Sequence, residues 1–251
     1  MELGLDNKVA FVSGSSRGLG FAIAKRLTEN GAKVVLNGRC NKRLLEASKE
    51  LGSLDYFCGD IAETEVSNAC VKYIEKKYGG VDVLVCNVGT GKSAATGSQN
   101  LEDWQHSLRD NLFSATVPIE AFDELLSINR GVILCVSSIC GVEFVPGAPA
   151  TYSSSKAALN SFVKNSSKYF GPKGVTVNAL APGNLYFAGS VWEKKMEEHP
   201  IDVKRFLEKE VALQKFVDIT ELANLAVYLC SERGRILTGS IIVADAGQVR
   251  S

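Results

Sequence analysis

Seven short apolar runs, each followed by a longer stretch of helical period, leave few folds open to this chain. The runs are KVAFVS (8–13), AKVVLN (32–37), LDYFC (54–58), VDVLVC (81–86), GVILCVS (131–137), VTVNAL (175–180) and GSIIVA (239–244). They are apolar at successive positions and do not alternate with polar residues, which is the pattern of strands covered on both faces in a parallel sheet. Between the first two runs, Leu19, Ala22, Ile23 and Leu27 recur at helical spacing and Gly31 follows as a stop. Similar helical patterns fill 41–51, 63–78, 101–127, 151–170 and 218–231. A β–α alternation sustained from end to end predicts a doubly wound α/β fold, one seven-stranded parallel sheet in a single domain spanning 1–251. Only 183–211 breaks the rhythm, being charged and aromatic-bearing, with Gly189 near its start. It reads either as a helical excursion that acts as a lid or as a solvated pair of surface helices.

Composition removes several classes of function. The 28 basic and 28 acidic residues balance, so no electrostatic footprint for nucleic acid or an anionic membrane is present. No apolar run approaches the roughly 20 residues that span a bilayer. The start, MELGLDNKVAFVSG, has an early acid and a short apolar run, unlike a signal or transit peptide, and the expected location is the cytoplasm. The seven cysteines contain no C-x-x-C pair and read mostly as buried apolar residues in a reducing compartment. His106 and His199 stand far apart in polar surroundings and read as surface residues, so no metal site is expected.

The stretch SGSSRGLG (13–20) admits two chemistries. Gly14-Ser15-Ser16-Arg17-Gly18 fits the G-x-S-x-G nucleophile elbow, with Ser16 attacking. An elbow needs a histidine within reach and stands well into the chain in α/β hydrolases, whereas Ser16 lies in the first strand-to-helix turn. The phosphate-cradle reading explains more letters: the strand ends at Gly14, Gly18 and Gly20 clear side chains where backbone must approach a ligand, and a helix begins there. Its free N–H groups and positive dipole end face a pyrophosphate.

This turn stands with six further motifs in a fixed order: GDI (59–61), CNVG (86–89), Asn111, VSSICG (136–141), YSSSK (152–156) and NALAPG (178–183). Over essentially its whole length the chain resembles the short-chain dehydrogenase/reductase family of single-domain Rossmann-type enzymes. The resemblance implies an NADP(H)-dependent oxidoreductase that interconverts a ketone and a secondary alcohol, with a 3-oxoacyl thioester or a keto-sugar type of substrate. Tyr152 then exchanges the proton, Lys156 contacts the nicotinamide ribose, Ser138 donates to the substrate oxygen, and Asn111 holds a proton-relaying water. Chemistry supports the set. A tyrosine has a pKa of about 10, and Lys156, four residues on and hence on the same helix face, is expected to lower it. Ser137 competes with Ser138, since a strand alternates faces; the family pattern read back from Gly141 selects Ser138. The alternative is a non-catalytic NADP(H)-sensing module, disfavoured by an intact proton donor.

The second strand ends VVLNGRC, with Gly38 where an NAD site carries an acid, and Arg39 after it. Arg39 and Arg17 together favour a 2'-phosphate, hence NADP(H). The family pattern places the cofactor against Ser13, Gly14, Ser16, Arg17, Gly18, Leu19, Gly20 and Arg39, with Asp60 and Ile61 bordering the adenine, then Asn87, Gly89, Pro182 and Gly183. Departures are Ser13 for threonine, Cys86 and Val88 beside Asn87, Phe187 where a threonine is usual, and Ala246 for a second glycine. Family members are commonly homotetramers packed through the helices at 101–127 and 151–170.

Overall fold

The computed structural model describes residues 2–249. In chain order it contains β1 (Val9–Val12), α1 (Gly18–Glu29), β2 (Lys33–Gly38), α2 (Asn41–Glu50), β3 (Asp55–Cys58), α3 (Thr64–Tyr78) and β4 (Val83–Cys86). There follow α4 (Leu101–Leu108), α5 (Ser114–Ala121), α6 (Asp123–Asn129), β5 (Val132–Val136), α7 (Ala150–Phe170) and β6 (Thr176–Pro182). The last elements are α8 (Val191–Glu198), α9 (Pro200–Glu210), α10 (Ile219–Cys230) and β7 (Ile241–Ala244). The strands form one seven-stranded sheet in the order β3-β2-β1-β4-β5-β6-β7, with every pair parallel.

Because successive side chains of a strand point to opposite faces, each strand supplies two cores. Ala10, Val12, Val34 and Leu36 pack with Leu19, Ile23 and Leu27 of α1 and with Leu222 and Ala226 of α10. Val9, Phe11, Val35 and Leu84 pack on the other face with Ile74 of α3, Phe122, and Leu159 and Val163 of α7. The strand order reverses direction between β1 and β4, so the turns leaving these two strands diverge and open a crevice at their carboxyl ends.

Two expectations are refined. The helix expected over 101–127 is broken into α4, a π-helical turn at Arg109–Phe113, α5 and α6. Within the π turn Asn111 Nδ2 donates to the Ser107 carbonyl at 3.0 Å, and Pro118 lacks a backbone donor inside α5. The excursion at 183–211 contains α8 and α9, separated at His199 by the start signal of Pro200. Val203, Leu207 and Val211 form a small core there with Trp192, Phe206, Phe216 and Ala246. Among the described residues, no helix is long and apolar enough to cross a membrane.

Candidate active site

The SGSSRGLG turn leaves β1 at the crevice and is fastened from below. Ser13 Oγ accepts from the Asn87 N–H at 2.9 Å, and Asn87 Nδ2 donates to the Ser13 and Gly14 carbonyls at 3.1 and 3.0 Å. Ser15 Oγ donates to the Val12 carbonyl and accepts from the Asn37 N–H, joining the turn to β2. Gly14 and Gly18 have φ of 61° and 60°, a conformation that side chains disfavour. A Cβ on Gly20 would stand 2.5 Å from the Gly14 carbonyl oxygen and collide with Asn87 Nδ2. The first turn of α1 carries no side-chain cap and no acid, leaving its N–H groups for an anionic ligand. These features fit a dinucleotide pyrophosphate.

The fit changes the part expected of three residues. Ser13 is wholly buried and its Oγ accepts from the segment after β4, so it braces the turn. Leu19 and Ile61 have their side chains in the two cores, which leaves only backbone to touch a cofactor. Ser16 is half-buried, with Oγ 3.5 Å from where a side chain on Gly38 would begin. His106 faces Glu102 on α4 and His199 precedes α9, so neither partners Ser16 and the hydrolase reading ends.

The carboxyl end of β5 leads into Ser138, whose Oγ accepts from the Cys140 N–H at 3.2 Å. Tyr152, on the first turn of α7, lies near enough to Ser138 for the serine hydroxyl to favour its phenolate. Ser137 is engaged elsewhere: its Oγ donates to Asn160 Oδ1 on α7 at 2.6 Å. Gly141 has no room for a Cβ, which would stand 2.6 Å from the Lys156 carbonyl carbon, so α7 lies directly on this segment.

Lys156 is 2% exposed and its Nζ donates to the Val136 carbonyl at 2.8 Å. Burial pulls its pKa down to about 8. The expected depression of the Tyr152 pKa is not found. Burial pushes it up to about 12, outweighing the opposing influence of the Ser138 hydroxyl, because a phenolate is costly to remove from water. Asn111, 1% exposed, holds the loop after β4: its Oδ1 accepts from the Thr90 N–H at 2.8 Å and its Nδ2 donates to the Thr90 carbonyl at 3.0 Å. Asn111 Oδ1 and Lys156 Nζ each lie 3.0 Å from where a Cβ on Gly89 would be, so Gly89 keeps this corner open.

Across the crevice Asp60 is held between two arginines, Arg39 Nη1 at 3.6 Å and Arg109 Nη1 at 3.1 Å, while Arg109 also pairs with Glu63. Arg109 starts the π turn that carries Asn111, so one element serves both ends of the crevice; no motif marked it in the sequence. Arg17 and Arg39 are both exposed and available to a phosphate. At the end of β6, Gly183 fits against Asp245, whose Cα would be 2.7 Å from an added Cβ, and Pro182 is buried beside it. Phe187 covers the glycine turn, its ring atoms 3.0–3.1 Å from an added Cβ on Gly18. Ala246, at φ 59°, places its methyl in the small core of the α8–α9 excursion.

Beyond Ser138, residues 143–146 wall a cavity of about 240 Å³ completed by Phe206 and Glu210 of α9 and by Gln248 and Val249. These eight positions were not legible as a site, since they come from three distant stretches without a shared motif. Of the cysteines, Cys70, Cys86, Cys135 and Cys230 are buried, Cys140 is half-buried, and Cys40 and Cys58 are exposed. Cys86 and Cys135 lie in register on β4 and β5, and the neighbouring Cys135 together with burial raises the Cys86 thiol, which donates to the Ala115 carbonyl. Among the described residues, no group of His, Cys, Asp or Glu is arranged to hold a metal ion.

The fold and this constellation define a Rossmann-type dehydrogenase class. A family model described as enoyl-(acyl carrier protein) reductase, adh_short_C2, matches residues 14–248, and the chain belongs to the short-chain dehydrogenase/reductase family. The 3-oxoacyl-(acyl-carrier-protein) reductase FabG of Chlamydia trachomatis is 30% identical, over 97% of this chain and 98% of that protein. FabG of Aquifex aeolicus is 29% identical, over 98% and 99%. Among solved structures, L-sorbose reductase from Gluconobacter frateurii, complexed with NADPH and L-sorbose, superposes with a TM-score of 0.93 at 28% identity, covering 100% of both chains.

Proposed function

We propose that the protein is a single-domain, NADP(H)-dependent oxidoreductase that interconverts a ketone and a secondary alcohol. The observation that carries this reading is the nearness of the Ser138 and Tyr152 hydroxyls at the carboxyl edge of the sheet, with the buried ammonium of Lys156 one helical turn further on. Two hydroxyl donors converging on one point are what a carbonyl oxygen needs as it becomes an alkoxide. The FabG relatives, named as 3-oxoacyl reductases, and the NADPH complex of L-sorbose reductase support the same chemistry.

In this reading Gly14, Gly18 and Gly20 with the first turn of α1 hold the pyrophosphate, Asp60 and the backbone of Ile61 border the adenine, and Arg17 and Arg39 take the 2'-phosphate. Arg39 exchanges its ion pair with Asp60 for the phosphate. Bound there, the dinucleotide supplies or accepts the hydride. Tyr152, with its pKa raised to about 12, is loaded with its proton at neutral pH and gives it to the substrate oxygen, while Ser138 donates to the same atom. Lys156 carries positive charge below about pH 8 and stabilises the phenolate left behind. Asn111 is a positioning residue, holding the π turn to the loop at Thr90.

The stretch 183–211 serves as a lid through Phe187 and α9. A homotetramer assembled through α4–α6 and α7 is part of the proposal, supported by Phe113 and Tyr169, which stay exposed on those elements. A cytoplasmic setting agrees with the exposed, unbridged thiols of Cys40 and Cys58. The test is NADPH consumption against 3-oxoacyl thioesters, keto-sugars and cyclic ketones. Ketone-dependent turnover that disappears in Tyr152→Phe supports the proposal; tight NADPH binding without turnover of any ketone favours the sensing module instead.

A further inference from the structure

Asp60, just beyond the end of β3, shares its carboxylate unequally between two guanidiniums. Its Oδ1 accepts from the Ala62 N–H at 3.1 Å, which fixes the group, and its Oδ2 faces both arginines. Arg109 Nη1 donates to Oδ2 at 3.1 Å, a hydrogen bond, whereas Arg39 Nη1 stands at 3.6 Å, an ion pair without one. Arg109 Nη2 also donates to Glu63 at the N-terminus of α3, so one planar fork clasps two carboxylates. The Arg109 side chain is 34% exposed against 70% for Arg39, and the clasp is the better shielded of the two pairs. Its backbone is fixed as well, since Arg109 opens the π turn that Asn111 ties to Ser107 and Thr90.

Resting on the reading of Arg39 as a 2'-phosphate ligand, we propose that Arg109 is a positioning residue for cofactor choice: by holding Asp60 it leaves Arg39 free to take the phosphate. A carboxylate and a phosphate compete for the same guanidinium, since each accepts charge-assisted bonds from it. With Arg109 in place Asp60 Oδ2 is already hydrogen-bonded, and Arg39 gives up only a loose contact when it turns to the ligand. Without Arg109, Arg39 is the one cation still paired with Asp60 among the described residues. It then closes on the carboxylate, and a phosphate has to break that pair before it can bind. NADH carries a ribose hydroxyl in place of the phosphate and asks nothing of Arg39. Arg109 therefore acts on the difference between the two cofactors, without touching either, and specificity is such a difference.

The experiment titrates the full chain with NADPH and with NADH, following the fluorescence of the reduced nicotinamide, so that no ketone is needed. The quantity read is the ratio of the Kd for NADH to the Kd for NADPH, in which any effect on the shared adenine cancels. Arg109→Gln is expected to lower this ratio about tenfold through weaker NADPH binding, with NADH within about twofold of wild type. In an Arg39→Ala background the same change moves the ratio less than about threefold, because the guanidinium it would have trapped is gone. Adding Asp60→Asn to Arg109→Gln returns the ratio to within about threefold of wild type. Equal weakening of both cofactors, an unchanged ratio, or an undiminished fall in the Arg39→Ala background overturns the inference. If Arg109→Gln does not fold, Asp60→Asn alone decides: with the competing carboxylate removed the ratio holds at or above its wild-type value, and a fall overturns the inference. A wild-type chain that binds NADH as tightly as NADPH removes the cofactor reading itself, a result distinct from any of these.

Discussion

Replacing Lys156 with methionine should make the protein more stable at neutral pH while abolishing its activity. The ammonium is 2% exposed, and its pKa falls from 10.5 to about 8 through burial. At about 1.4 kcal/mol per pH unit, keeping this charge in the folded state below pH 8 costs about 3 kcal/mol. Methionine removes that cost but leaves the Val136 carbonyl without its donor, a loss of about 1 kcal/mol. The net gain is about 2 kcal/mol, or a rise in Tm of roughly 4–8 °C for a chain of this size. The sign follows from linkage: between pH 8 and 10.5 the unfolded chain binds the proton and the folded one does not, so wild-type stability rises with pH across that window. The advantage of Lys156→Met is therefore complete at pH 7 and has vanished by about pH 10.5, where the variant is marginally the weaker. Thermal unfolding of both proteins at pH 7 and pH 10 reads this directly. A variant that melts below the wild type by the same margin at every pH would refute the reasoning, because Lys156 would then be stabilising through packing and not strained by burial.

Four further outcomes follow from named residues. Gly20→Ala drives a methyl into the Gly14 carbonyl and Asn87, breaking the two bonds from Asn87 Nδ2; it should cost roughly 3–5 kcal/mol in urea unfolding and raise KM for NADPH more than tenfold, whereas wild-type stability would mean the turn is not close-packed. Ser138→Ala should lower kcat about 10²–10³-fold with unchanged Tm. Ser137→Ala should keep activity within a few-fold but lose about 1–2 kcal/mol of stability, since Asn160 Oδ1 is left unpaired; the reverse pattern would exchange their roles. Removing both arginines, Arg17→Ala with Arg39→Ala, should cut kcat/KM for NADPH about 10–100-fold and leave NADH nearly unaffected, and equal losses with both cofactors would show that neither arginine reads the 2'-phosphate.

The fold was legible because the strands are apolar on both faces, and only a parallel sheet sandwiched by helices accounts for that; the observed ends lie within two residues of the sequence runs. The glycine turn was legible for a related reason, as each of its glycines answers a distinct steric demand. What sequence could not supply were consequences of packing. Asn111 in a π turn depends on a side chain capturing the carbonyl of Ser107, which helical periodicity does not register. The raised Tyr152 pKa was not legible because spacing puts Lys156 on the right helix face but says nothing about burial or about the Val136 carbonyl that accepts from its ammonium. Ser137 and Ser138 are indistinguishable as letters and are separated only by Asn160 on a helix that packs across them. The cavity beyond Ser138 draws on a loop, α9 and the stretch after β7, so no local pattern announces it.

The central claim is most directly tested by following the hydride itself. NADPH carrying deuterium at the transferable position of its nicotinamide is incubated with the protein and a mixed panel of ketones, and the products are weighed by mass spectrometry. The account predicts an alcohol with one deuterium on its carbinol carbon, formed by the wild type and absent with Tyr152→Phe. Deuterium delivered to a carbon–carbon double bond instead, or product formed equally well by Tyr152→Phe, would contradict it.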